Sequence, residues 1–139
     1  MNIQRITFIL ITFLWLGITS CGQKQKDKNS ADGSAAVITL ISPSELNSLD
    51  KEILLIDVRT PEEYSAGHIE NSVNIDIKSD NFSSLIDELD REQEVYVYCK
   101  IGGRSNYAAK KMKEMGFKKI YDLDGGIKQW ERDGFDKTK

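Results

Sequence analysis

The sequence predicts a three-layer α/β domain in which a five-stranded, mostly parallel sheet is covered by helices on both faces. Two observations support this fold class. Short apolar runs with the length of strands alternate along the chain with segments whose apolar residues recur at helical spacing. The run over residues 53–56 is apolar throughout, which is typical of a strand buried on both faces of a parallel sheet.

Five strands and five helices are expected in alternation. The predicted strands cover residues 37–40, 53–56, 73–75, 95–98 and 120–123. The first two helices have clear starts, because Ser42 before Pro43 and Thr60 before Pro61 each place a capping hydroxyl ahead of a proline. The last helix follows the fifth strand and is expected to carry Trp130 into the core.

The third and fourth helices are predicted from the spacing of their apolar residues. Leu85, Ile86 and Leu89 form the expected apolar stripe of the third helix. The fourth helix is expected to begin near Ser105 and to stop at Gly116. Its apolar residues at helical spacing are Tyr107, Ala108, Met112 and Met115.

The segment between the fourth strand and the fourth helix carries the chemistry. It reads Cys99-Lys100-Ile101-Gly102-Gly103-Arg104-Ser105. Such a loop can point backbone N–H groups into one concave space, to which the helix dipole adds positive charge. Gly102 and Gly103 allow positive φ angles there, and Arg104 adds a permanent charge. These effects predict a lowered pKa for Cys99 and a ready nucleophile at the carboxyl edge of the sheet.

A structural role for Cys99 is the alternative, since free cysteines commonly pack as small apolar side chains. Two glycines and an arginine directly after the cysteine favour the reactive interpretation.

Composition excludes several classes of function. The 139 residues suffice for one domain, and 19 basic against 22 acidic side chains leave no basic block in it, so no nucleic-acid partner is expected. Two cysteines and one histidine cannot build a multi-ligand zinc or iron–sulfur site. No metal site of this kind is therefore predicted.

Residues 1–20 have the pattern of an export signal: a basic start, an apolar run too short to span a bilayer, and small residues at its end. Ile18-Thr19-Ser20-Cys21 resembles a bacterial lipobox, which implies cleavage before Cys21 and acylation of that residue. Ordinary secretion with cleavage nearby, or an uncleaved anchor, are the alternatives. Residues 21–36 then form the lipidated start and a flexible tether. The expected location is the bacterial envelope, facing the periplasm, with inner and outer membrane both open.

Three motifs in the domain, residues 37–136, resemble the single-domain rhodanese-like sulfurtransferases. The first spans residues 56–64 and is followed by Gly67-His68-Ile69. The second is the cysteine loop, and the third is Leu123-Asp124-Gly125-Gly126-Ile127 with Trp130. Their joint order and spacing carry the resemblance, which implies the same α/β fold as the strand pattern.

The resemblance implies sulfur transfer through a persulfide on Cys99. The thiolate would take sulfur from thiosulfate or a persulfide, and backbone N–H groups from Lys100 to Arg104 would stabilise the anionic terminal sulfur. Cyanide or a thiol would then accept it, in a ping-pong reaction without cofactor. A protein is a further acceptor class.

The remaining loop residues are expected to serve the cysteine. Lys100, Ile101, Gly102 and Gly103 are implied to form the rim that meets the substrate. Lys100 could attract an anionic donor or merely keep the surface soluble, and both interpretations stay open.

Carboxylate and guanidinium groups from the first motif are expected to support the loop. Arg104 is expected to pair with a carboxylate, with Asp57 as the first choice. Asp57 and Arg59 are expected to hold the loop by hydrogen bonds. His68 is left outside catalysis, because an ionised cysteine needs no proton relay.

Three other functions are considered. Phosphatases of related fold carry one more residue between cysteine and arginine than the four found here, so phosphatase activity is not expected. Arsenate reduction lacks a second cysteine in the domain. A non-catalytic binding or sulfur-carrier module at the membrane surface is the alternative from another class, although an intact cysteine loop favours activity.

Overall fold

A computed structural model describes residues 36–49 and 52–139. The predicted export signal, Cys21 and the tether up to residue 35 lie outside the described residues. Within the described ranges, no helix combines the length and apolar character needed to cross a membrane.

Strands and helices alternate along the described chain, as the sequence predicts. The strands are β1 (Val37–Ile41), β2 (Leu54–Asp57), β3 (Val73–Asn74), β4 (Val95–Tyr98) and β5 (Lys119–Leu123). The helices are α1 (Pro43–Ser48), α2 (Pro61–Ser65), α3 (Phe82–Asp87), α4 (Gly103–Glu114) and α5 (Gly126–Arg132). The sheet order is β1-β5-β4-β2-β3, and every neighbouring pair is parallel, which confirms the predicted fold class.

The side-chain alternation of β4 divides the interior into two cores. Val95 and Val97 point to one face and pack with Met112 of α4. Tyr96 and Tyr98 point to the other face, in a cluster that includes Trp130 of α5. All these side chains are buried, so the helices cover both faces of the sheet, and Trp130 lies in the core as predicted.

Both predicted helix starts are confirmed as capping boxes. The Ser42 hydroxyl accepts the Glu45 backbone N–H while the Glu45 carboxylate accepts the Ser42 N–H, and Thr60 and Glu63 repeat this arrangement at α2. Each box satisfies backbone donors that a helix end leaves without partners.

The predicted buried faces of α3 and α4 need correction. Phe82 and Ile86 are the buried residues of α3, whereas Leu85 is 42% exposed. The buried side chains of α3 are thus an i,i+4 pair, Phe82 and Ile86, which begins three residues before Leu85, the first residue of the predicted stripe. In α4, Tyr107 is 59% exposed, and the buried residues are Ser105, Ala108, Ala109 and Met112. Gly116 has φ +99° and ends α4 as predicted.

Candidate functional site

The cysteine loop joins the end of β4 to the start of α4. Gly102 lies in the left-handed region at φ +100° and forms the N-cap of α4, so glycine is required there by the backbone. Gly103 is the first helical residue instead, and the expected positive φ is correct for Gly102 but wrong for Gly103. A Cβ built on either glycine meets no atom within 4 Å, so the mouth of the loop is open.

Backbone hydrogen bonds from α5 and from the end of β2 hold the cysteine loop in place. The Ile127 N–H donates to the Cys99 carbonyl at 2.9 Å, and the Lys128 N–H donates to the Lys100 carbonyl at 3.1 Å. On the β2 side, the Val58 N–H donates to the Tyr98 carbonyl at 3.0 Å. The N–H groups of Ile127 and Lys128 belong to the first turn of α5 and have no partner inside their helix. They support the loop by donating to its carbonyl groups.

Gly126 makes this support sterically feasible. A Cβ at Gly126 would lie 2.5 Å from the Cys99 carbonyl oxygen and 2.9 Å from the Ile101 nitrogen. No side chain fits between α5 and the loop, and Gly126 also has φ +57°. Gly126 of the third motif is thus explained by its close approach to the cysteine loop.

The sulfur of Cys99 lies in the concave side of the loop with 1% of the residue exposed. The Gly102 N–H donates to it at 3.1 Å. Burial raises the pKa of the Cys99 thiol, but hydrogen bonds to the sulfur outweigh burial and leave this pKa below its ordinary value. The donors are the hydroxyl and backbone N–H of Ser105 and the N–H groups of Ile101 and Gly102.

Ser105 is a candidate site residue that the sequence prediction missed. It was assigned only as the helix start, yet it is fully buried and contributes two of the groups that stabilise the Cys99 thiolate. Its hydroxyl donates to the Gly102 carbonyl oxygen at 3.1 Å, which fixes the side chain in the first turn of α4. A hydroxyl in the first turn of a helix that follows a cysteine loop is the sequence signal for such a role.

Arg104 pairs with Glu63 and not with Asp57, so the expected partner is wrong. Its two terminal nitrogens donate to the two carboxylate oxygens of Glu63 at 2.6 and 2.8 Å. Asp57 is already occupied by the guanidinium of Arg59. The capping carboxylate of α2 therefore has a second role, because it joins α2 to the first turn of α4.

Asp57 and Arg59 form a buried ion pair that stabilises the neighbouring turn. Arg59 Nη2 lies 2.5 Å from Asp57 Oδ2 and donates to the Gly67 carbonyl at 2.9 Å. Their described hydrogen bonds connect the end of β2 to the turn after α2, whereas the backbone of Val58 contacts the strand leading to the loop. The sequence predicts that Asp57 and Arg59 hold the loop by direct hydrogen bonds. Their described side-chain hydrogen bonds do not reach the loop, so this prediction is wrong.

The rim of the loop combines charge with apolar surface. Lys100 is exposed and lines a cavity of about 220 Å³ together with Arg59, Glu63, Lys128 and residues from the turn after α2 and from α5. Ile101 is 70% exposed. Among residues 36–49 and 52–139, no cluster of histidine, cysteine or acidic side chains is arranged to hold a metal ion.

His68 lies in the turn after α2, where its described contacts are with Tyr64 and Thr138. Its ring stacks on Tyr64 with centroids 3.7 Å apart, and its backbone pairs with Thr138. The Nδ1 atom lies 3.1 Å from the Tyr64 carbonyl oxygen. These contacts give the histidine a packing role.

The described domain is a parallel α/β sheet with a buried cysteine held in a glycine-containing loop at its carboxyl edge. Residues 42–133 match the family model described as Rhodanese-like domain, and the chain belongs to this family.

Named relatives agree with this assignment. A thiosulfate sulfurtransferase GlpE of Pseudoalteromonas translucida is 36% identical over 87 residues, which are 62% of this chain and 81% of that protein. The adenylyltransferase and sulfurtransferase uba4 of Ogataea parapolymorpha is 37% identical over 78 residues, 56% of this chain but only 20% of the yeast protein. A rhodanese-related protein of Thermoplasma volcanium superposes with a TM-score of 0.65 at 31% identity, over 72% of this chain and 97% of that one. Family membership supports a sulfur-related function.

Glu63→Gln should lower stability in a pH-dependent way. The hydrogen bond from Arg104 lowers the pKa of Glu63 from 4.5 to about 2. A carboxylate with a lowered folded pKa contributes stability above pH 4.5 that is lost as the pH falls toward 2. We expect E63Q to be less stable than wild type by about 1 kcal/mol at neutral pH, with the gap closing in that acid window. Urea unfolding of both proteins at several pH values measures this difference in stability. An equal difference at neutral pH and in the acid window would contradict the prediction. The exposed Glu92→Gln is the charge-matched control.

Gly126→Ala should destabilise the fold and disturb the sulfur. The added methyl group must displace the Cys99 and Ile101 backbone, which adds a packing cost of about 1–3 kcal/mol to the strain of positive φ. Gly134→Ala is the matched control, because Gly134 has φ +85° with nothing within 4 Å. We expect about 1 kcal/mol for this control. Urea unfolding and iodoacetamide labelling at Cys99 measure both effects, and equal stability with unchanged labelling in G126A would refute the steric explanation.

Proposed function

We propose that this protein is a sulfurtransferase that carries sulfane sulfur as a persulfide on Cys99. The observation that carries the proposal is the sulfur of Cys99 inside a cradle of hydrogen-bond donors, with a lowered thiol pKa. A thiolate in that position is a nucleophile, and the same donors suit the anionic outer sulfur of a persulfide. Named sulfurtransferases among the relatives support the same reaction class.

The reaction balances without a cofactor or a proton relay. The Cys99 thiolate attacks the outer sulfur of thiosulfate, a new S–S bond forms, and sulfite leaves with the electron pair of the broken S–S bond. An acceptor such as cyanide then attacks the terminal sulfur and leaves as thiocyanate, which restores the thiolate. The enzyme alternates between two covalent forms, as in other ping-pong mechanisms.

The burial of Cys99 restricts the donor. Because only 1% of the residue is exposed, the donor must present a slender terminal sulfur through the mouth of the loop at Gly102 and Gly103. Thiosulfate and the end of a persulfide chain meet this requirement, whereas a bulky phosphate ester does not. Lys100 at the rim favours an anionic donor.

A protein acceptor is the second candidate, favoured by the exposed apolar surface near the loop. Ile101 is 70% exposed on the loop itself, and Tyr107 is 59% exposed one turn along α4. Large exposed apolar side chains beside a reactive sulfur are typical of a docking surface. Under this second proposal, the domain transfers the terminal sulfur of its persulfide to a partner protein and works as a sulfur carrier.

Thiosulfate should add one sulfur atom to Cys99. We expect the full-length protein to gain about 32 Da after incubation with thiosulfate, on the Cys99 peptide, and to lose it on addition of cyanide. Cys99→Ser should fold normally and gain nothing, because a hydroxyl is not ionised at neutral pH. Intact-mass and peptide mass spectrometry measure both, with Lys113→Ala as an exposed control on the far end of α4.

The outcomes separate the two candidates. Discharge by cyanide supports the small-molecule enzyme, whereas a stable adduct that resists cyanide and small thiols supports the protein carrier. A reduced, folded protein that takes no sulfur from thiosulfate or a persulfide donor contradicts both and leaves a binding module.

We further propose that the domain works at the periplasm-facing surface of a bacterial membrane, anchored through acylated Cys21. The support is the lipobox-like sequence directly after the apolar run. Several acyl chains give stable attachment where one would be marginal.

Cys21→Ala should abolish lipidation while leaving the sulfur chemistry intact. We expect wild-type protein expressed in a bacterial host to begin at Cys21, to carry acyl groups and to sediment with membranes, whereas C21A carries none. Mass spectrometry of the N-terminal peptide gives the result, and Cys99→Ser is the matched cysteine control. An unacylated wild-type N-terminus would refute the anchor.

A further inference from the structure

A cavity with an excess of positive charge lies beside the cysteine loop. Its volume is about 220 Å³, and its charged lining residues are Arg59, Lys100, Lys128, Lys137, Glu63 and Glu131. The protein as a whole has a formal net charge of -3, so this excess of positive charge is a local feature.

Two of these side chains are neutralised by partners that do not line the cavity. The guanidinium of Arg59 is paired with the buried carboxylate of Asp57. The carboxylate of Glu63 accepts hydrogen bonds from both terminal nitrogens of Arg104. These two ion pairs add no net charge to the cavity. The charges that remain belong to the three lysines and to Glu131.

Glu131 carries too little charge to neutralise the lysines that it contacts. Lys128 Nζ lies 2.8 Å from Glu131 Oε2, and Lys137 Nζ pairs with Glu131 Oε1. The hydrogen bonds from Lys128 and Lys137 lower the pKa of Glu131 to about 2, so one negative charge stands between two ammonium groups at neutral pH. Among residues 36–49 and 52–139, no ion pair includes Lys100. The cavity therefore keeps two positive charges that the described residues do not balance.

The segment after α5 holds Lys137 in the cavity wall. The Thr138 N–H donates to the His68 carbonyl, and the His68 N–H donates to the Thr138 carbonyl, both at 2.9 Å. The Asp136 carbonyl accepts a hydrogen bond from Trp130 Nε1 at 2.8 Å. Because both chain neighbours of Lys137 are bonded to the domain, the fold itself places this ammonium group at the cavity.

The cavity adjoins the sulfur without enclosing it. Lys100 directly follows Cys99, and the Lys128 N–H donates to the Lys100 carbonyl at 3.1 Å, so the cavity begins one residue from the nucleophile. The described lining residues do not include Cys99 or Gly102, whose N–H donates to the sulfur. A ligand that reacts at the sulfur can therefore place a charge in the cavity only if several bonds separate the two groups.

The size of the cavity also favours an organic ligand. At about 30 Å³ for each water molecule, the cavity has room for about seven of them. A small organic acid fills such a space, whereas a single oxyanion leaves most of it empty. Thiosulfate carries its charged oxygens one atom from the sulfur that reacts, so it does not make use of this cavity.

We propose that the cavity binds the carboxylate groups of a small anionic thiol that accepts sulfur from Cys99. Two unbalanced positive charges match a dicarboxylate, with Lys100, Lys128 and Lys137 as its partners. The inference deepens the proposed sulfurtransferase function and rests on it.

The transfer to such a thiol balances without an oxidant or a reductant. The acceptor thiolate attacks the terminal sulfur of the Cys99 persulfide, and a new S–S bond forms in the released persulfide. The S–S bond to Cys99 breaks, and its electron pair restores the Cys99 thiolate.

Mercaptosuccinate, a thiol with two carboxylates, is the probe, and uncharged 2-mercaptoethanol is the comparison. Full-length protein is first loaded with sulfur from thiosulfate and then mixed with each thiol at constant ionic strength. Loss of the added sulfur from the Cys99 peptide is followed by mass spectrometry, which gives the half-saturating concentration of each thiol. Thermal unfolding confirms that each variant is folded.

Two neutral variants should shift that concentration in opposite directions. Lys137→Gln should raise it about threefold for mercaptosuccinate, because an open cavity loses one positive charge. Glu131→Gln should lower it about threefold, because two ammonium groups lose their carboxylate. Discharge by 2-mercaptoethanol should stay the same in both variants. Lys113→Gln is the charge-matched control at the far end of α4 and should change neither thiol.

Three results would overturn the proposal. If K137Q and E131Q shift the concentration in the same direction, the residues act through the fold and not through their charge. If 2-mercaptoethanol is affected as strongly as mercaptosuccinate, the variants disturb the cysteine loop. If K113Q has the same effect as K137Q, the effect belongs to the charge of the whole protein and not to the cavity.

Succinate tests the cavity without sulfur transfer, because it has the two carboxylates and no thiol. In unloaded full-length protein it should shift the amide NMR signals of Lys128 and Lys137, with weaker binding in K137Q and tighter binding in E131Q. A wild-type protein that binds succinate but takes no sulfur contradicts only the proposed function. A wild-type protein that takes sulfur, but shows no shift at the succinate concentration that equals half-saturating mercaptosuccinate, contradicts only the cavity.

Discussion

The opposition between burial and hydrogen bonding at the Cys99 sulfur is the constraint on which the site depends. Burial alone would make this thiol inert, since a thiolate loses its hydration when it leaves water. Donors from Ile101, Gly102 and Ser105 reverse that effect. Donors fixed by the fold can do so without reorganising, which is why they cost little at the moment of reaction. The loop therefore obtains reactivity and protection from solvent together, which an exposed thiolate cannot have.

This arrangement requires the loop to separate its two kinds of backbone group. Its N–H groups face the sulfur, so its carbonyl groups must find donors elsewhere. The carbonyls of Cys99 and Lys100 receive them from Ile127 and Lys128, the first donors of α5. Such an approach is possible only because Gly126 has no side chain. The third sequence motif, distant from the cysteine along the chain, is thus part of the same backbone hydrogen-bond network.

Local signals in the sequence predicted the fold well, because strand patterning and capping boxes act over a few residues. Cys99 and its left-handed Gly102 could be predicted for the same reason. The partner of Arg104 could not, since the choice between Asp57 and Glu63 depends on how α2 packs beside α4. The buried faces of α3 and α4 were misassigned at Leu85 and Tyr107, where an apolar side chain lies at the surface and hydrophobicity alone gives no warning.

Three acidic side chains, Asp57, Glu63 and Asp122, lie on elements next to β4 or α4 and differ in how they are neutralised. A thiolate or persulfide would be destabilised by free carboxylates nearby. Asp57 and Glu63 are each neutralised by an arginine, at 2.5 Å and 2.6 Å. Asp122 has no cation beside it among these contacts, and its burial favours the proton as the neutralising partner. Pairing with Arg104 lowers the pKa of Glu63 to about 2 and so keeps that carboxylate ionised at neutral pH, whereas burial raises the pKa of Asp122.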